Sequence, residues 1–380
     1  MTVLLTGIDG YLGWPTALRL ADRLDERVVG VDNLARRGWV EAVGSVSAVP
    51  IDDPEARVAA IPTLSFVEGD LVDRAVVDEL LAVHEPDTVI HTAAQPSAPY
   101  SQIDGERANY TQHNNLQATR NLLWGLHEHG LADTHFVETT TTGLYGAPAF
   151  PIPEGGAVME HRGERDAVPF PSLGGSFYHQ TKGFDAANMR LADTQFDFPI
   201  SDVRTAIVYG TGTPETADAP TRFDFDYYFG TVAHRFCAQA VAGYPVTVYG
   251  KGEQRKPFIG LEDAVEGLVR LAEVDPDERP ASLTVYNQVT RPISIVEIAT
   301  TIADVAAEFG LDVAVEHFEN PREEDETHQM EIENDRYLDL IDGQAQTFEA
   351  GVRDILETLL EHADRITTHE DRFLPGVLSE

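Results

Sequence analysis

Residues 2–13 of the chain read TVLLTGIDGYLG, and this stretch decides the fold. The apolar run at residues 2–6 has the length of a buried strand, and leucines at positions 18, 20 and 24 predict a helix after it. Between them the glycines follow a G-x-x-G-x-x-G spacing. That spacing permits a tight turn, close approach of a pyrophosphate and packing of the helix on the strand. The stretch therefore predicts a dinucleotide-binding turn made of Gly7, Gly10, Tyr11, Leu12 and Gly13.

A second predicted strand, at residues 27–31, leads into Asp32. A carboxylate at this position hydrogen-bonds the ribose hydroxyls of NAD and repels the additional phosphate of NADP. Arg36 and Arg37 favour the opposite choice, but the carboxylate makes NAD the predicted cofactor. A glycine turn without a ligand is the alternative, and the combination of strand, helix and acid disfavours it.

Strands and helices alternate along the first 210 residues. Strands are predicted at residues 64–68, 88–91, 135–140 and 200–208, and helices at residues 74–85 and 105–129 and around residues 178–182. Such alternation is typical of an α/β fold with a Rossmann-type doubly wound parallel sheet, whose binding crevice lies at the carboxyl ends of the strands. Asp70, Leu71 and Ala93 follow strand ends, so we expect them to contact the cofactor.

The alternation weakens after Gly210, and we expect two parts. Residues 1–210 would form the NAD domain, and residues 211–380 would form mainly a smaller α/β substrate-binding cap, with some segments returning to the first part. Residues 222–240 predict one aromatic-rich helix, whereas residues 33–62 and 147–175 predict loops. The cation Lys256, which follows a predicted strand, and Arg322 further on suit a diphosphate.

Tyr178 and Lys182 are four residues apart, which places them one turn apart on one face of a helix. A nearby ammonium favours the phenolate, so we expect a lowered pKa for Tyr178 and a general base that deprotonates a sugar hydroxyl. The chain has only three lysines, at positions 182, 251 and 256, and this scarcity makes each a candidate functional residue. Thr141 follows a predicted strand, and its hydroxyl either bonds the same sugar oxygen or satisfies its own backbone.

The composition indicates which partners the protein does not bind and which cellular conditions suit it. Among 380 residues, 64 are Asp or Glu and 27 are Lys or Arg, which gives a net charge of −37. This charge repels nucleic acid and anionic membranes, and the scarcity of lysine predicts adaptation to high salt. No apolar run reaches the roughly 18 residues that span a bilayer, and we expect no signal peptide before the first strand. The single Cys237 fits a cytoplasmic protein, and the histidine spacings predict no metal site.

Several stretches together resemble a known family. The glycine turn, Asp32, Thr141 and the Tyr178–Lys182 pair are similar to those of the extended short-chain dehydrogenase/reductases that act on nucleotide sugars. The resemblance extends to the UDP-sulfoquinovose synthase family through GYLGW at 10–14, VDNL at 31–34, SAPYS at 97–101, YTQHNN at 110–115, SFYH at 176–179, RFD at 222–224, FGT at 229–231, RFC at 235–237, TVYGKG at 247–252 and NPR at 320–322.

The resemblance implies tightly held NAD and a UDP-hexose substrate, with UDP-glucose first among them. Tyr178, helped by Thr141 and Lys182, would deprotonate the 4-hydroxyl as hydride leaves for NAD, and loss of water would give a 4-keto-5-ene sugar. Sulfite, or a sulfite-donating protein, would then supply the sulfonate. The resemblance also implies a homodimer and a catalytic role for His179. The other implied site residues are Asn33, Arg36 and Asn115 for the cofactor, and Gln95, Tyr100, Thr142, Thr231, Arg235, Tyr249, Lys256 and Arg322 for the UDP-sugar.

The sequence departs from that family in the loop after the catalytic threonine. Thr142 and Leu144 stand where a Met and a Glu are expected, and Pro96 and Lys256 stand where arginines are expected. The stretch TTTTGLYG at 139–146 also resembles UDP-hexose 4-epimerases, which makes 4-epimerisation the alternative function. A 4,6-dehydratase would carry an Asp-Glu pair after the threonine, and a non-catalytic NAD sensor would have lost Tyr178 or Lys182, so both are less favoured.

Overall fold

A computed structural model describes residues 1–24, 27–319, 328–343 and 345–375. Arg322, a predicted diphosphate contact, lies outside the described residues. The described strands are β1 (Thr2–Thr6), β2 (Arg27–Asp32), β3 (Leu64–Glu68), β4 (Thr88–His91), β5 (His135–Thr141), β6 (Gly156–His161), β7 (Glu164–Pro169), β8 (Ile200–Thr205), β9 (Ile207–Tyr209), β10 (Val246–Tyr249), β11 (Arg255–Gly260), β12 (Thr284–Gln288), β13 (Arg291–Ser294) and β14 (Val315–Phe318). The described α-helices are α1 (Gly13–Arg23), α2 (Ala35–Ala42), α3 (Pro54–Val58), α4 (Arg74–His84), α5 (Gly105–Glu128), α6 (Phe177–Phe196), α7 (Val232–Ala242), α8 (Leu261–Ala272), α9 (Ile295–Glu308), α10 (Asp335–Leu340), α11 (Phe348–Leu360) and α12 (Ala363–Thr367).

Seven parallel strands form the central sheet in the order β12-β8-β5-β4-β1-β2-β3. From the central β1 the chain first adds β2 and β3 on one side and then crosses to β4 on the other. This reversal opens a crevice at the carboxyl ends of β1 and β4, where ligands of such sheets bind. The predicted α/β fold with a doubly wound parallel sheet is confirmed.

Alternate residues of each central strand face two different helical layers. On β1, Val3 and Leu5 belong to an apolar cluster with Leu268 of α8, whereas Leu4 belongs to a cluster with Leu122 of α5. Because successive side chains of a strand point to opposite faces, an apolar run such as β1 is buried on both sides. Helices α1 and α8 cover one face of the sheet, and helices α4, α5 and α6 cover the other. This packing holds the strand ends, and the crevice at those ends, in fixed positions.

The second part of the chain both completes the sheet and covers its carboxyl edge. β12 pairs with β8 at the edge of the sheet, and α8 contacts β4 and β5. The other segments form a separate layer, which we call the second layer. In it, α7, α9 and α11 enclose a core that includes Phe236, Phe258, Ile302 and Leu356. β9 follows β8 almost directly and pairs with β11 of that layer, so the chain passes from one layer to the other at Ala206.

Several predicted elements need correction. The predicted loop at residues 33–62 contains the helices α2 and α3, and α3 begins with Pro54, which a helix tolerates at its first position. The helix predicted for residues 222–240 begins only at Val232. Before it, the Asp226 carboxylate accepts hydrogen bonds from the backbone N–H groups of Tyr228 (2.8 Å) and Phe229 (3.0 Å). This carboxylate holds residues 226–229 in a turn, and the turn replaces the first part of the predicted helix.

An antiparallel ribbon of β6 and β7 stands in the predicted loop at residues 147–175. Most of its residues are exposed, including Val158 and Met159. The strands therefore lack the alternation of buried and exposed residues from which a sequence predicts a strand. Among the described residues, no helix is both long enough and apolar enough to cross a membrane.

Candidate active site

A cavity of about 1560 Å³ lies at the carboxyl ends of the central strands, between the sheet and the second layer. Residues at the ends of β1, β2, β4, β5 and β8 form one wall, and residues of α7, β10 and β11 form the other. The structure brings most of the predicted site residues to these walls. They are Gly7, Gly10, Tyr11, Leu12, Gly13, Asp32, Asn33, Arg36, Asp70, Leu71, Ala93, Thr141, Thr142, Tyr178, His179, Lys182, Thr231, Arg235, Tyr249 and Lys256.

Three residues predicted as ligand contacts lie behind the wall instead. The Gln95 backbone N–H donates to the Asn115 side-chain oxygen (2.8 Å), and the Asn115 amide donates back to the Gln95 carbonyl (3.1 Å). Tyr100 is buried, with its ring 5.1 Å from that of Phe229. The amides of Gln95 and Asn115 are used to fix the chain after β4. These side chains support the wall, whereas the resemblance implied that they touch the ligand.

The glycine turn after β1 fits a pyrophosphate. Gly7 has φ +81°, and its N–H donates to the Val31 carbonyl (2.7 Å), which ties the turn to β2. A Cβ at Gly13 would lie 2.0 Å from the Gly7 carbonyl oxygen, so the turn closes only with glycine at position 13. α1 begins at Gly13. The amino-terminal end of this helix, with the positive end of its dipole, therefore lies at the cavity wall, where it can attract phosphate oxygens.

Asp32 ends β2 on the cavity wall. Its carboxylate accepts hydrogen bonds from the backbone N–H groups of Asp9 (2.9 Å) and Leu34 (2.8 Å). Burial raises the pKa of Asp32 to about 6, although these two donors act in the opposite direction. The carboxylate is therefore oriented by the glycine turn itself, and the ionised form presents an acceptor for ribose hydroxyls.

The two arginines that favoured NADP in the sequence are held by carboxylates. Arg36 lies 2.6 Å from Asp224 and stacks over the Phe229 ring at 4.1 Å, and Arg37 lies 2.7 Å from Asp9. A guanidinium paired in this way is already neutralised. The pairing removes the argument for a bound 2′-phosphate and supports NAD.

Tyr178 stands on the wall at the first turn of α6. The Thr141 hydroxyl accepts from the Gly143 N–H (3.1 Å), so it satisfies its own backbone, which is one of the two predicted alternatives. Its bond to a sugar oxygen stays a prediction. Burial raises the pKa of Tyr178 above its ordinary value, and Lys182 and Thr141 lower it only in part. The expectation of a lowered pKa is wrong here, because burial outweighs the field of the ammonium.

Lys182 lies one turn further along α6, with almost no exposed surface. Its Nζ is 3.1 Å from Glu138 Oε1 on β5 and 3.5 Å from Asp185 Oδ2 on α6. These two carboxylates raise the pKa of Lys182 despite its burial, so the ammonium stays charged. The sequence reasoning missed both acids. Two signals could have found them: a charge inside the buried strand at residue 138, and an acid three residues after Lys182 on the same helical face.

The loop that follows Thr141 determines which side chains reach the sugar end of the cavity. A Cβ at Gly143 would lie 2.4 Å from the His179 ring, so this ring sits directly against the loop backbone. Thr142 lines the cavity, and its hydroxyl donates to the Thr205 carbonyl (3.4 Å). Leu144 is buried in a small cluster with Tyr145 and does not belong to the wall. The position where the family carries a carboxylate therefore contributes no polar group here.

The opposite end of the cavity is lined by aromatic rings and cations of the second layer. The Arg235 guanidinium lies 5.6 Å from the centre of the Tyr249 ring, and Lys256 on β11 lines the same cavity. The Thr231 hydroxyl accepts from the His234 N–H (3.3 Å), so it caps α7 while it faces the cavity. An arginine and a lysine at one wall suit a nucleoside diphosphate.

Residues 3–287 match the model of the NAD dependent epimerase/dehydratase family. The chain therefore belongs to this family, and it is an enzyme that uses NAD. Solved structures with the same fold include a UDP-glucose 4-epimerase from Thermotoga maritima, crystallised with UDP-glucose. That structure covers 95 % of this chain and 99 % of its own chain with a TM-score of 0.71, at 20 % sequence identity.

Two curated relatives are more similar in sequence, and both are UDP-sulfoquinovose synthases. The enzyme from Sulfolobus acidocaldarius is 39 % identical over 336 residues, which cover 86 % of this chain and 84 % of that protein. The chloroplastic enzyme from Spinacia oleracea is 35 % identical over 383 residues, which cover 99 % of this chain and 78 % of that protein. The resemblance to this group of enzymes is confirmed.

We predict that Gly13→Ala lowers the affinity for NAD by about tenfold or more, because the added Cβ forces the glycine turn open. Gly38→Ala is the matched control, since its Cβ meets no atom within 4 Å. NAD retained after purification, and rebinding of NAD measured by calorimetry, compare the two variants. Equal affinities would show that the turn does not bind the pyrophosphate.

Proposed function

We propose that the protein converts UDP-glucose and sulfite into UDP-sulfoquinovose through 4-keto and 4-keto-5-ene intermediates. The observation that carries this proposal is the convergence of Thr141, Tyr178 and Lys182 on one wall of the cavity that also holds the glycine turn. The similarity over most of the chain to two UDP-sulfoquinovose synthases supports the choice of reaction.

In the first step Tyr178 takes the proton of the sugar 4-hydroxyl. Lys182 and the Thr141 hydroxyl favour the phenolate that this requires, and they oppose the effect of burial. NAD, which the glycine turn and Asp32 would hold, would supply the hydride chemistry at C4. The hydrogen bonds of Asp32 and of the glycine turn hold the residues that would bind NAD in the same cavity as Tyr178.

The loss of water and the addition of sulfite would take place at the sugar end of the cavity. A ketone at C4 acidifies the C5 proton, so water leaves with the C5 proton and the C6 hydroxyl. Sulfite then forms the C6–S bond while C5 regains a proton. His179 is the titratable side chain beside Tyr178 on this wall, and its ring centre lies 5.3 Å from that of Tyr178. We assign the proton transfers at C5 and C6 to His179.

UDP-hexose 4-epimerisation is the second candidate, and the position of Leu144 favours it. Leu144 is buried in an apolar cluster, so no carboxylate from this position reaches the sugar. A 4-epimerase needs the base at C4 and room for the ketone to rotate, and the large cavity provides that room. A 4,6-dehydratase is less favoured, because Thr142 and Gly143 follow Thr141 in this chain where that enzyme would carry an Asp-Glu pair.

Incubation of the purified protein with UDP-glucose, with and without sulfite, tests the proposal by mass spectrometry and NMR of the sugar. We expect a sulfonated hexose only when sulfite, or a protein that donates it, is present. Tyr178→Phe should lower the rate by about 10²- to 10⁴-fold, because the general base is lost. Tyr244→Phe is the matched control, since this tyrosine packs in the second layer with its ring 5.4 Å from that of Phe373.

The products separate the two candidate functions. UDP-galactose as the sole product would identify a 4-epimerase. No turnover of either kind, together with equal behaviour of Tyr178→Phe and wild type, would contradict both functions.

We propose that the enzyme is a homodimer that pairs through α5 and α6. Phe177, Phe184 and Leu191 repeat every seven residues on α6 and are 43 %, 50 % and 55 % exposed, and Trp124 on the neighbouring α5 is 46 % exposed. Apolar residues at this spacing form one continuous stripe on the helix surface. A second copy of the chain would bury it.

Phe184→Glu combined with Leu191→Glu should convert the dimer into monomers, because two buried carboxylates oppose the apolar interface. Val83→Glu is the control, since Val83 is 62 % exposed on α4, away from this stripe. Light scattering measures the mass of each variant. A wild type that is already monomeric would reject the interface.

We also propose that the protein is adapted to high salt, in the cytoplasm of a cell that accumulates ions. The net charge of −37 produces self-repulsion that concentrated ions screen. The melting temperature should rise by several degrees between low and multimolar KCl. A melting temperature that is indifferent to KCl would contradict the adaptation.

A further inference from the structure

The surroundings of Lys182 contain one more carboxyl group than its charge requires. Its Nζ lies 3.1 Å from Glu138 and 3.5 Å from Asp185, and the exposed fractions of the three side chains are 3 %, 0 % and 0 %. Thr119 on α5 donates to the same Glu138 oxygen (3.3 Å). Three elements, β5, α5 and α6, therefore close this group of side chains off from water.

Among the described residues, the other charged side chains around Lys182 do not supply a second cation. Asp202 on β8 faces Glu138 but is paired with Arg204 at 2.9 Å. His91 on β4 is buried, and burial together with Lys182 lowers its pKa well below the ordinary value, so it is neutral. The charge balance at the floor of the cavity therefore depends on four groups: Lys182, Glu138, Asp185 and the Tyr178 hydroxyl.

Two carboxylates that share one buried ammonium cannot both ionise without leaving an uncompensated negative charge. Such a charge is costly without water, and like charges at one site oppose each other. The lowest-energy state keeps one proton on the carboxyl pair. Consistent with this, burial and the neighbouring acid raise the pKa of Glu138, and burial raises that of Asp185 to about 6.

We propose that Glu138 and Asp185 are positioning residues that share one proton, hold the Lys182 ammonium with a single negative charge, and thereby set how readily Tyr178 ionises. Their negative charge keeps Lys182 charged and in place inside the protein. The same charge opposes the phenolate, so it also limits the acidity of Tyr178. The proposal depends on the proposed function only in naming Tyr178 as the base.

The single-charge arrangement makes a specific prediction about substitution. Glu138→Gln or Asp185→Asn leaves one carboxyl, which ionises and still neutralises Lys182, so the ionisation midpoint of Tyr178 should move by less than about half a pH unit. The double variant leaves Lys182 without a counter-charge. Burial then favours the neutral amine, so the ammonium that favours the phenolate is lost, and the midpoint of Tyr178 should rise by about one pH unit or more.

The midpoint is measured on the NAD-bound enzyme without any sugar. Tyrosinate absorbance is titrated against pH for each protein and for the same protein carrying Tyr178→Phe, and the difference isolates Tyr178. Asp263→Asn is the control, because Asp263 is a buried carboxyl on α8 that accepts from the Gln346 N–H (3.1 Å) and does not line the cavity. In this control variant the ionisation midpoint of Tyr178 should equal that of wild type. Since no turnover is required, failure of the proposed function leaves this test intact.

An unchanged midpoint in the double variant would overturn the proposal, and so would a full shift in either single variant. If the double variant does not fold, infrared spectra of the single variants decide. Wild type at neutral pH should show the carbonyl band of one buried protonated carboxyl, and both Glu138→Gln and Asp185→Asn should lack it. Persistence of the band in both single variants, or its absence from wild type, would contradict the shared proton.

Discussion

The buried ammonium of Lys182 is the charge on which the catalytic end of the cavity depends. Burial alone would favour the neutral amine, but Glu138 and Asp185 keep the charge within 3.5 Å of carboxylate oxygens. These acids come from β5 and α6, the two elements that also carry Thr141 and Tyr178. The packing of α6 on the sheet therefore determines the position of the base and the electrostatic field that acts on it.

The cofactor end of the cavity is fixed by backbone geometry and by paired charges. The turn at Gly7 bonds to β2, and the same turn orients Asp32 through the Asp9 N–H. Arg36 joins α2, which follows β2, to the segment before α7 through Asp224. The contacts of Asp32 and Arg36 thus favour NAD and also link the sheet to the second layer. The two walls of the cavity are therefore held in one fixed arrangement.

The sequence predicts those parts of the site that are written in local patterns. The glycine spacing, Asp32 and the four-residue spacing of Tyr178 and Lys182 each depend on neighbours along one strand, turn or helix. The partners of Arg36 and Lys182 do not. Asp224 lies 188 positions from Arg36, and Glu138 lies 44 positions from Lys182, so only the packed fold reveals those pairs. The predicted lowering of the Tyr178 pKa was wrong for the same reason, because burial, which raises this pKa, is a property of the fold.

The fate of hydrogen at C4 and C5 of the sugar tests the central claim most directly. UDP-glucose labelled with deuterium at C4 or at C5 is converted in the presence of sulfite, and the product is read by mass spectrometry and NMR. The account predicts that the C4 label stays at C4, since the hydride is stored and returned at the same carbon, and that the C5 label is lost to water. Loss of the C4 label, or retention of the C5 label in a sulfonated product, would contradict it.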